Sequence, residues 1–164
     1  MSKVIFVRGY PGAGKSSFAK FILDKFPDKI KLIDPDAVII SDSIGDKLLA
    51  KKQKYRFNLN YCISVLNEGL DVIWTQSWRS ISGLNITINN IKTLYSEDVA
   101  FLVVEVTQDK STCWNNVRNK FLDFTEDTYY REYIDNYEKF NLKNIPFIEI
   151  SYPFEENIIT KVYN

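Results

Sequence analysis

Gly9-Tyr10-Pro11-Gly12-Ala13-Gly14-Lys15-Ser16 satisfies G-x-x-x-x-G-K-[ST] at every fixed position of the pattern. Its glycines carry no Cβ, so the backbone can enter conformations closed to other residues and approach an anion closely. A run of N–H groups can then wrap a phosphate chain. In this pattern Lys15 is placed to reach β- and γ-phosphates, and the Ser16 hydroxyl to ligate Mg²⁺. Context supports the reading. Before the loop, Lys3 to Arg8 is a short apolar, β-branched run that predicts a buried strand. After it, Phe18, Phe21 and Ile22 recur at helical spacing within Ser16 to Lys25, so a helix opens directly behind the loop. Its N-terminus adds partial positive charge where phosphates would lie. The alternative, a glycine turn that binds nothing, leaves the lysine and serine unexplained.

Composition sets outer bounds. At 164 residues, one domain spanning 1–164 is expected, with 45% hydrophobic residues ruling out wholesale disorder. Lys+Arg and Asp+Glu balance at 21 each, so bulk charge points to neither nucleic acid nor a membrane. The absence of histidine removes imidazole acid–base catalysis and histidine metal sites. Cys62 and Cys113 form neither a metal spacing nor a disulfide framework, which fits a reducing cytoplasm. The apolar run Val4 to Val7 is too short for a signal peptide, and no run is long enough to span a membrane.

Along the chain, strands and helices are expected to alternate. Pro27 ends the first helix, and Ile30 to Asp34 predicts a second strand running into Asp34-Pro35-Asp36. Ligands of open α/β sheets bind outside the carboxyl ends of the strands, so both carboxylates are candidates for chemistry. The competing reading is a cap on a helix starting at Ala37. Ser41 to Lys47 reads as a loop. Leu48 to Leu70 predicts a long helix with Tyr55, Leu59, Cys62, Ile63 and Leu66 on its buried stripe and Gly69 at its end. Lys51, Lys52, Lys54 and Arg56 read as a solvated face or, in the minority reading, a phosphate contact. Asp71 to Thr75 predicts the third strand, followed by Gln76-Ser77-Trp78-Arg79. Trp78 is a candidate for stacking on a substrate ring or for the core, and Arg79 for holding an anionic substrate or for surface pairing. Further helices are expected over Leu84 to Tyr95, Asp109 to Lys120 and Glu126 to Phe140, with a loop over Phe121 to Thr125. Val99 to Val106 and Ile145 to Ser151 predict two more strands, and 155–164 a short helix or end strand. Five apolar strands with helical crossovers predict an α/β fold: a five-stranded parallel sheet with helices on both faces.

With these residues placed, the chain resembles the small P-loop kinases, in particular the polynucleotide 5′-hydroxyl kinases and their zeta-toxin-like relatives. The resemblance covers most of the chain and is strongest over residues 3–36. It implies a P-loop NTPase fold with a small helical lid at roughly 115–130. It also implies a nucleotide site built from Gly9, Tyr10, Pro11, Gly12, Ala13, Gly14, Lys15, Ser16 and Ser17. In such kinases a carboxylate about twenty residues past the loop acts as general base, the place Asp36 occupies. A lid arginine closes over the phosphates, the place of Arg118. Three positions depart from the pattern: Pro35 stands where nucleic-acid-binding relatives often carry Arg, Thr75 where a strand-end Asp is common, and one lid arginine where two are common, with Lys120 as substitute.

The resemblance thus implies an ATP-dependent kinase acting on a hydroxyl, with ATP and Mg²⁺ as cofactors. Lys15, Asp36 and Arg118 are its expected catalytic residues, Ser16 and Asp34 its metal ligands, and Asp36, Trp78 and Arg79 its substrate contacts. A polynucleotide 5′-hydroxyl, a nucleoside and a small-molecule hydroxyl are all open as acceptors. The rival reading is a nucleotide-binding module that switches or binds a partner with little catalysis. The missing strand-end Asp and an exposed aromatic surface between Tyr129 and Tyr137 would favour it.

Overall fold

The computed structural model describes residues 1–35 and 47–163. Five strands form one parallel sheet: β1 (Lys3–Arg8), β2 (Ile30–Ile33), β3 (Asp71–Thr75), β4 (Ala100–Thr107) and β5 (Phe147–Ser151), in the order β2-β3-β1-β4-β5. All four pairings are parallel, as the continuous apolar runs predict. β1 lies in the centre, where the strand order reverses, and the glycine loop leaves its carboxyl end at that switch point.

Alternate residues of β1 feed opposite faces. Ile5 and Val7 join Phe18, Ala19 and Ile22 of α1 (Lys15–Leu23) and Val162 of α6 (Asn157–Val162). Val4 and Phe6 join Leu59, Cys62 and Leu66 of α2 (Lys47–Asn67), and Leu84, Ile88 and Ile91 of α3 (Ile81–Leu94). Trp74 and Trp78 lie in the same cluster, with Trp78 edge-on to Phe6 at 5.3 Å between centroids. The expected strands and most helices therefore stand within a few residues of their bounds. Asp36 and the expected helix start at Ala37 lie outside the described residues. So does most of the Ser41 to Lys47 loop, although Lys47 itself opens α2.

The expected single helix over Glu126 to Phe140 is broken. One turn, α5 (Glu126–Tyr129), passes into a π-helical turn over Tyr130–Ile134, and the chain then leaves helical form. The reason is tertiary. Tyr137 donates to Glu105 Oε1 at 2.7 Å, while the Glu138 N–H donates to the Arg79 carbonyl and its own carbonyl accepts from Arg8. The sheet edge satisfies backbone groups that a helix would otherwise have paired. Together with α4 (Lys110–Val117), these turns form a helical cover over the glycine loop. Its core is Ala13, Cys113, Val117, Tyr129 and Ile134. Between Tyr129 and Tyr137, where an exposed aromatic surface would have favoured the rival reading, Tyr129 is fully buried and Tyr130, Tyr133 and Tyr137 are half-buried.

Trp74 is fully buried between both cluster helices and the central strand. Trp74→Ala should lower unfolding free energy by about 3–5 kcal/mol, the range for emptying a large aromatic site. Urea unfolding monitored by circular dichroism measures it.

Candidate active site

The loop between β1 and α1 is shaped by contacts that only glycine allows. Gly12 has φ +88°, and a Cβ there would stand 2.2 Å from the Cys113 carbonyl oxygen of α4. Gly14, at φ 106°, is the N-cap of α1 and supplies no side-chain cap, and the first helical turn carries no acid. The first turn thus presents the positive end of the helix without an acidic side chain of its own, the setting in which helix N-termini bind anions. Lys15 Nζ donates to the carbonyls of Gly9 at 3.0 Å and Tyr10 at 2.9 Å, which holds the ammonium across the mouth of the loop. Ser16 and Ser17 are exposed on the first turn.

The cover grips the same loop from above. Asn116 Nδ2 donates to the Gly12 carbonyl at 2.9 Å, and the Tyr129 hydroxyl to the Pro11 carbonyl at 2.6 Å. The Tyr10 and Tyr137 rings meet edge-on at 4.7 Å. Asp109 caps α4 by accepting from the Thr112 N–H. The Thr112 and Ser111 hydroxyls bond its carboxylate and hold its pKa down to about 2. Burial pushes the Cys113 thiol up to about 11, so it is a neutral packing group and not a nucleophile.

A cleft of about 720 Å³ opens between these parts. Its lining includes Gly12, Gly14, Lys15, Ser16 and Ser17 from the loop and first helix, Asp34 and Pro35 after β2, and Thr75, Gln76 and Ser77 at the end of β3. The cover contributes Asn116, Lys120, Phe121 and Tyr133. Four stretches far apart in sequence thus share one opening. Of the expected nucleotide-site residues, Pro11, Gly12, Gly14, Lys15, Ser16 and Ser17 line it, as does Asp34, whereas Ala13 is buried and Gly9 and Tyr10 line a neighbouring cavity.

Other expected site residues are placed differently. Trp78 is 4% exposed and packs against Phe6 and Trp74, so its ring is a core element and offers no face for stacking. Arg79 does not line the cleft: its guanidinium donates to the Glu132 carbonyl and lies 5.6 Å from the Tyr133 ring centre. Arg118 is exposed at the C-cap of α4 and does not line the cleft, whereas Lys120, two residues on, does. Lys51, Lys52 and Arg56 are exposed on α2. Sequence reasoning missed Asn116, Phe121 and Tyr133, whose side chains carry no motif and reach the site only through the packing of the cover.

Among the described residues no group of three or more acidic, cysteine or histidine side chains could hold a metal by itself. Mg²⁺ is commonly bound by one or two carboxylates together with substrate phosphates. Ser16 and Asp34, a hydroxyl and a carboxylate facing one cleft, are hard oxygen donors that fit that mode.

No family model matches the chain, and no curated protein does. Solved structures match over nearly its whole length. A protein of Chloroflexus aurantiacus provisionally classed as a kinase is similar with a TM-score of 0.73 at 13% identity, over 98% of this chain and 92% of that one. The APS kinase CysC of Mycobacterium tuberculosis, solved with AMPPNP and APS, is similar with a TM-score of 0.68 at 11% identity, over 98% and 95%. A chain of the Pnkp1/Rnl/Hen1 RNA repair complex gives 0.64 at 17% identity, over 88% of this chain but 48% of that one. The chain has the fold of the small P-loop kinases.

Two outcomes follow from the loop geometry. Lys15→Ala should weaken ATP–Mg²⁺ binding by at least about tenfold if the ammonium meets phosphate, with only a small fall in the apo melting temperature from its lost bonds to the Gly9 and Tyr10 carbonyls. Titration calorimetry beside a melting curve checks both. Gly12→Ala should cost about 1–3 kcal/mol of stability and weaken nucleotide binding together, since the left-handed backbone and the Cys113 carbonyl both resist a Cβ. Denaturant unfolding and the same titration read these.

Proposed function

We propose that this protein is an ATP-dependent kinase that transfers the γ-phosphoryl group to a hydroxyl acceptor. The observation that carries the reading is the single cleft in which Lys15 and the first turn of α1 face both strand-end segments, Asp34-Pro35 and Thr75-Gln76-Ser77. Phosphoryl transfer asks a protein mainly for positioning and charge neutralisation, and these parts supply both. Loop N–H groups and Lys15 hold the β- and γ-phosphates. Ser16 and Asp34 hold Mg²⁺, which neutralises charge on the phosphates when bound. Lys120, on the cleft wall, is the cation best placed to meet the transferring group. Arg118 would join it only through movement of the cover. Asp36, two residues past Asp34 in the sequence, is the proposed general base toward the acceptor hydroxyl.

The acceptor is proposed as a neutral hydroxyl compound with a flat face. Thr75, Gln76 and Ser77 offer uncharged hydrogen-bonding groups, and Phe121 and Tyr133 line the cleft with rings 5.4 Å apart. Arg79, the side chain first expected to hold an anionic substrate, is committed to the cover. A nucleoside or a sugar fits this chemistry better than a polynucleotide end. With Tyr129 buried and Tyr130, Tyr133 and Tyr137 half-buried, the cover gives less support to the passive-module reading than an exposed tyrosine surface would have given.

The deciding experiment is transfer of label from γ-labelled ATP with Mg²⁺ to a panel of nucleosides, sugars and 5′-hydroxyl oligonucleotides. Transfer to a neutral small molecule is expected; hydrolysis alone across the panel would sink the kinase reading. Asp36→Asn keeps the size of the side chain but is a far weaker base, so kcat should fall about 10²–10⁴-fold with ATP affinity little changed. Full activity in that variant would exclude Asp36 as the base.

A further inference from the structure

Arg8 is the last residue of β1 and immediately precedes the phosphate loop, yet no part of it reaches solvent. A buried guanidinium is tolerated only when its donors are met. Its Nε and Nη2 both donate to the Trp78 carbonyl, at 3.1 and 2.9 Å. Nη2 also donates to the Glu138 carbonyl at 2.8 Å, and Nη1 to Glu105 Oε1 at 2.9 Å. The Tyr137 ring lies 4.2 Å from the guanidinium carbon, and its hydroxyl shares the same carboxylate oxygen of Glu105. Glu105 is the register partner of Arg8 on the neighbouring strand, so the charge pair is fixed by the sheet itself.

The partners are not a random set. Trp78 closes the turn after β3 in the left-handed region, at φ +47°, a conformation that costs a bulky residue energy and persists only when its surroundings enforce it. The two hydrogen bonds from Arg8 hold that carbonyl in place. The same turn aims Arg79 at the cover, and the Arg79 carbonyl accepts from the Glu138 N–H at 2.9 Å. Ser77, one residue earlier, lines the cleft, and its carbonyl accepts from the Gly9 N–H at 3.4 Å. One guanidinium therefore ties three parts around the cleft: the start of the phosphate loop, the end of β3, and the root at Tyr137-Glu138 where the cover returns to the sheet.

We propose that Arg8 is a positioning residue that holds the cover in register with the end of β3, so that Lys120, Phe121 and Tyr133 meet the cleft at a fixed distance from Lys15. Arg8 touches neither nucleotide nor acceptor in this role. The kinetic part of the proposal rests on the kinase reading; the structural part does not. Lysine in its place keeps the charge but lacks the fork that serves three acceptors at once.

The test is Arg8→Lys, with hydrogen–deuterium exchange measured by peptide beside ATP–Mg²⁺ titration and transfer kinetics. Exchange is expected to rise at least about tenfold in 76–79 and 130–138 together, with β1 and β4 as protected as in the parent. Nucleotide affinity should stay within about threefold, while kcat drops about tenfold or more, because misplacement of a closing element acts on the transfer step. Unchanged exchange in both segments, a rise in only one, or a rise that spreads equally over β1 and β4 would overturn the proposal; the last is what a purely structural support would give. Should Arg8→Lys not fold, Tyr137→Phe removes a single hydroxyl from the same cluster. Raised exchange confined to 130–138 and 76–79 then upholds the proposal, and unchanged exchange overturns it. If the parent protein transfers no phosphate, the kinase reading falls and the exchange result still decides the role of Arg8.

Discussion

A charge buried without water has to find its partners inside the protein, and the arrangement around Arg8 shows how much that condition organises. Removing one side of such a pair typically costs about 3–5 kcal/mol, because the other side is left uncompensated. Burial and the bond to Glu105 both hold the Tyr137 hydroxyl protonated, well above the usual tyrosine range, so it stays a donor to that carboxylate. Trp78 accepts a costly backbone conformation, and the expected long helix after Glu126 gives way to a π-helical turn and an irregular return. These are local departures from preference, and the buried guanidinium is what they have in common.

The phosphate loop is held from two sides by different physics. Below, the apolar faces of β1 and α1 fix its ends at the centre of the sheet. Above, the cover bonds its carbonyls: Asn116 on Gly12 and Tyr129 on Pro11, with Lys15 bridging Gly9 and Tyr10. These bonds, with those from the Gly9 and Ala13 N–H groups to the carbonyls of Ser77 and Tyr10, fix the path of the loop. The aromatic density of the cover, with Phe121, Tyr129 and Tyr133 in mutual contact, gives a short, polar-flanked segment enough apolar contact to pack in place.

Much of this was legible in the residues. Each strand is a local apolar run, each of the longer helices a 3.6-residue stripe, and the loop pattern encodes its own geometry, so the parallel sheet, its helices and the placement of Lys15, Ser16 and Asp34 at one edge could be read without coordinates. Trp78 could not. A tryptophan after a strand end is as consistent with a stacking platform as with the core, and the outcome depended on Phe6 and Trp74 forming a site for it. Arg79 and Arg118 were open in the same way, since a cation near a phosphate loop gives no sign of which way its long side chain turns.

The sequence by itself determined the strand–loop–helix unit and the parallel sheet, because those follow from periodicity and backbone chemistry within a few residues. Only the tertiary structure decided which side chains enclose the cleft. Arg8 reads as the end of a strand until Trp78, Glu105 and Glu138, lying 70, 97 and 130 residues further along the chain, arrive to meet it. A guanidinium is costly to bury alone and well served by several oxygens at once, so its role could be fixed only when folding had brought those oxygens together.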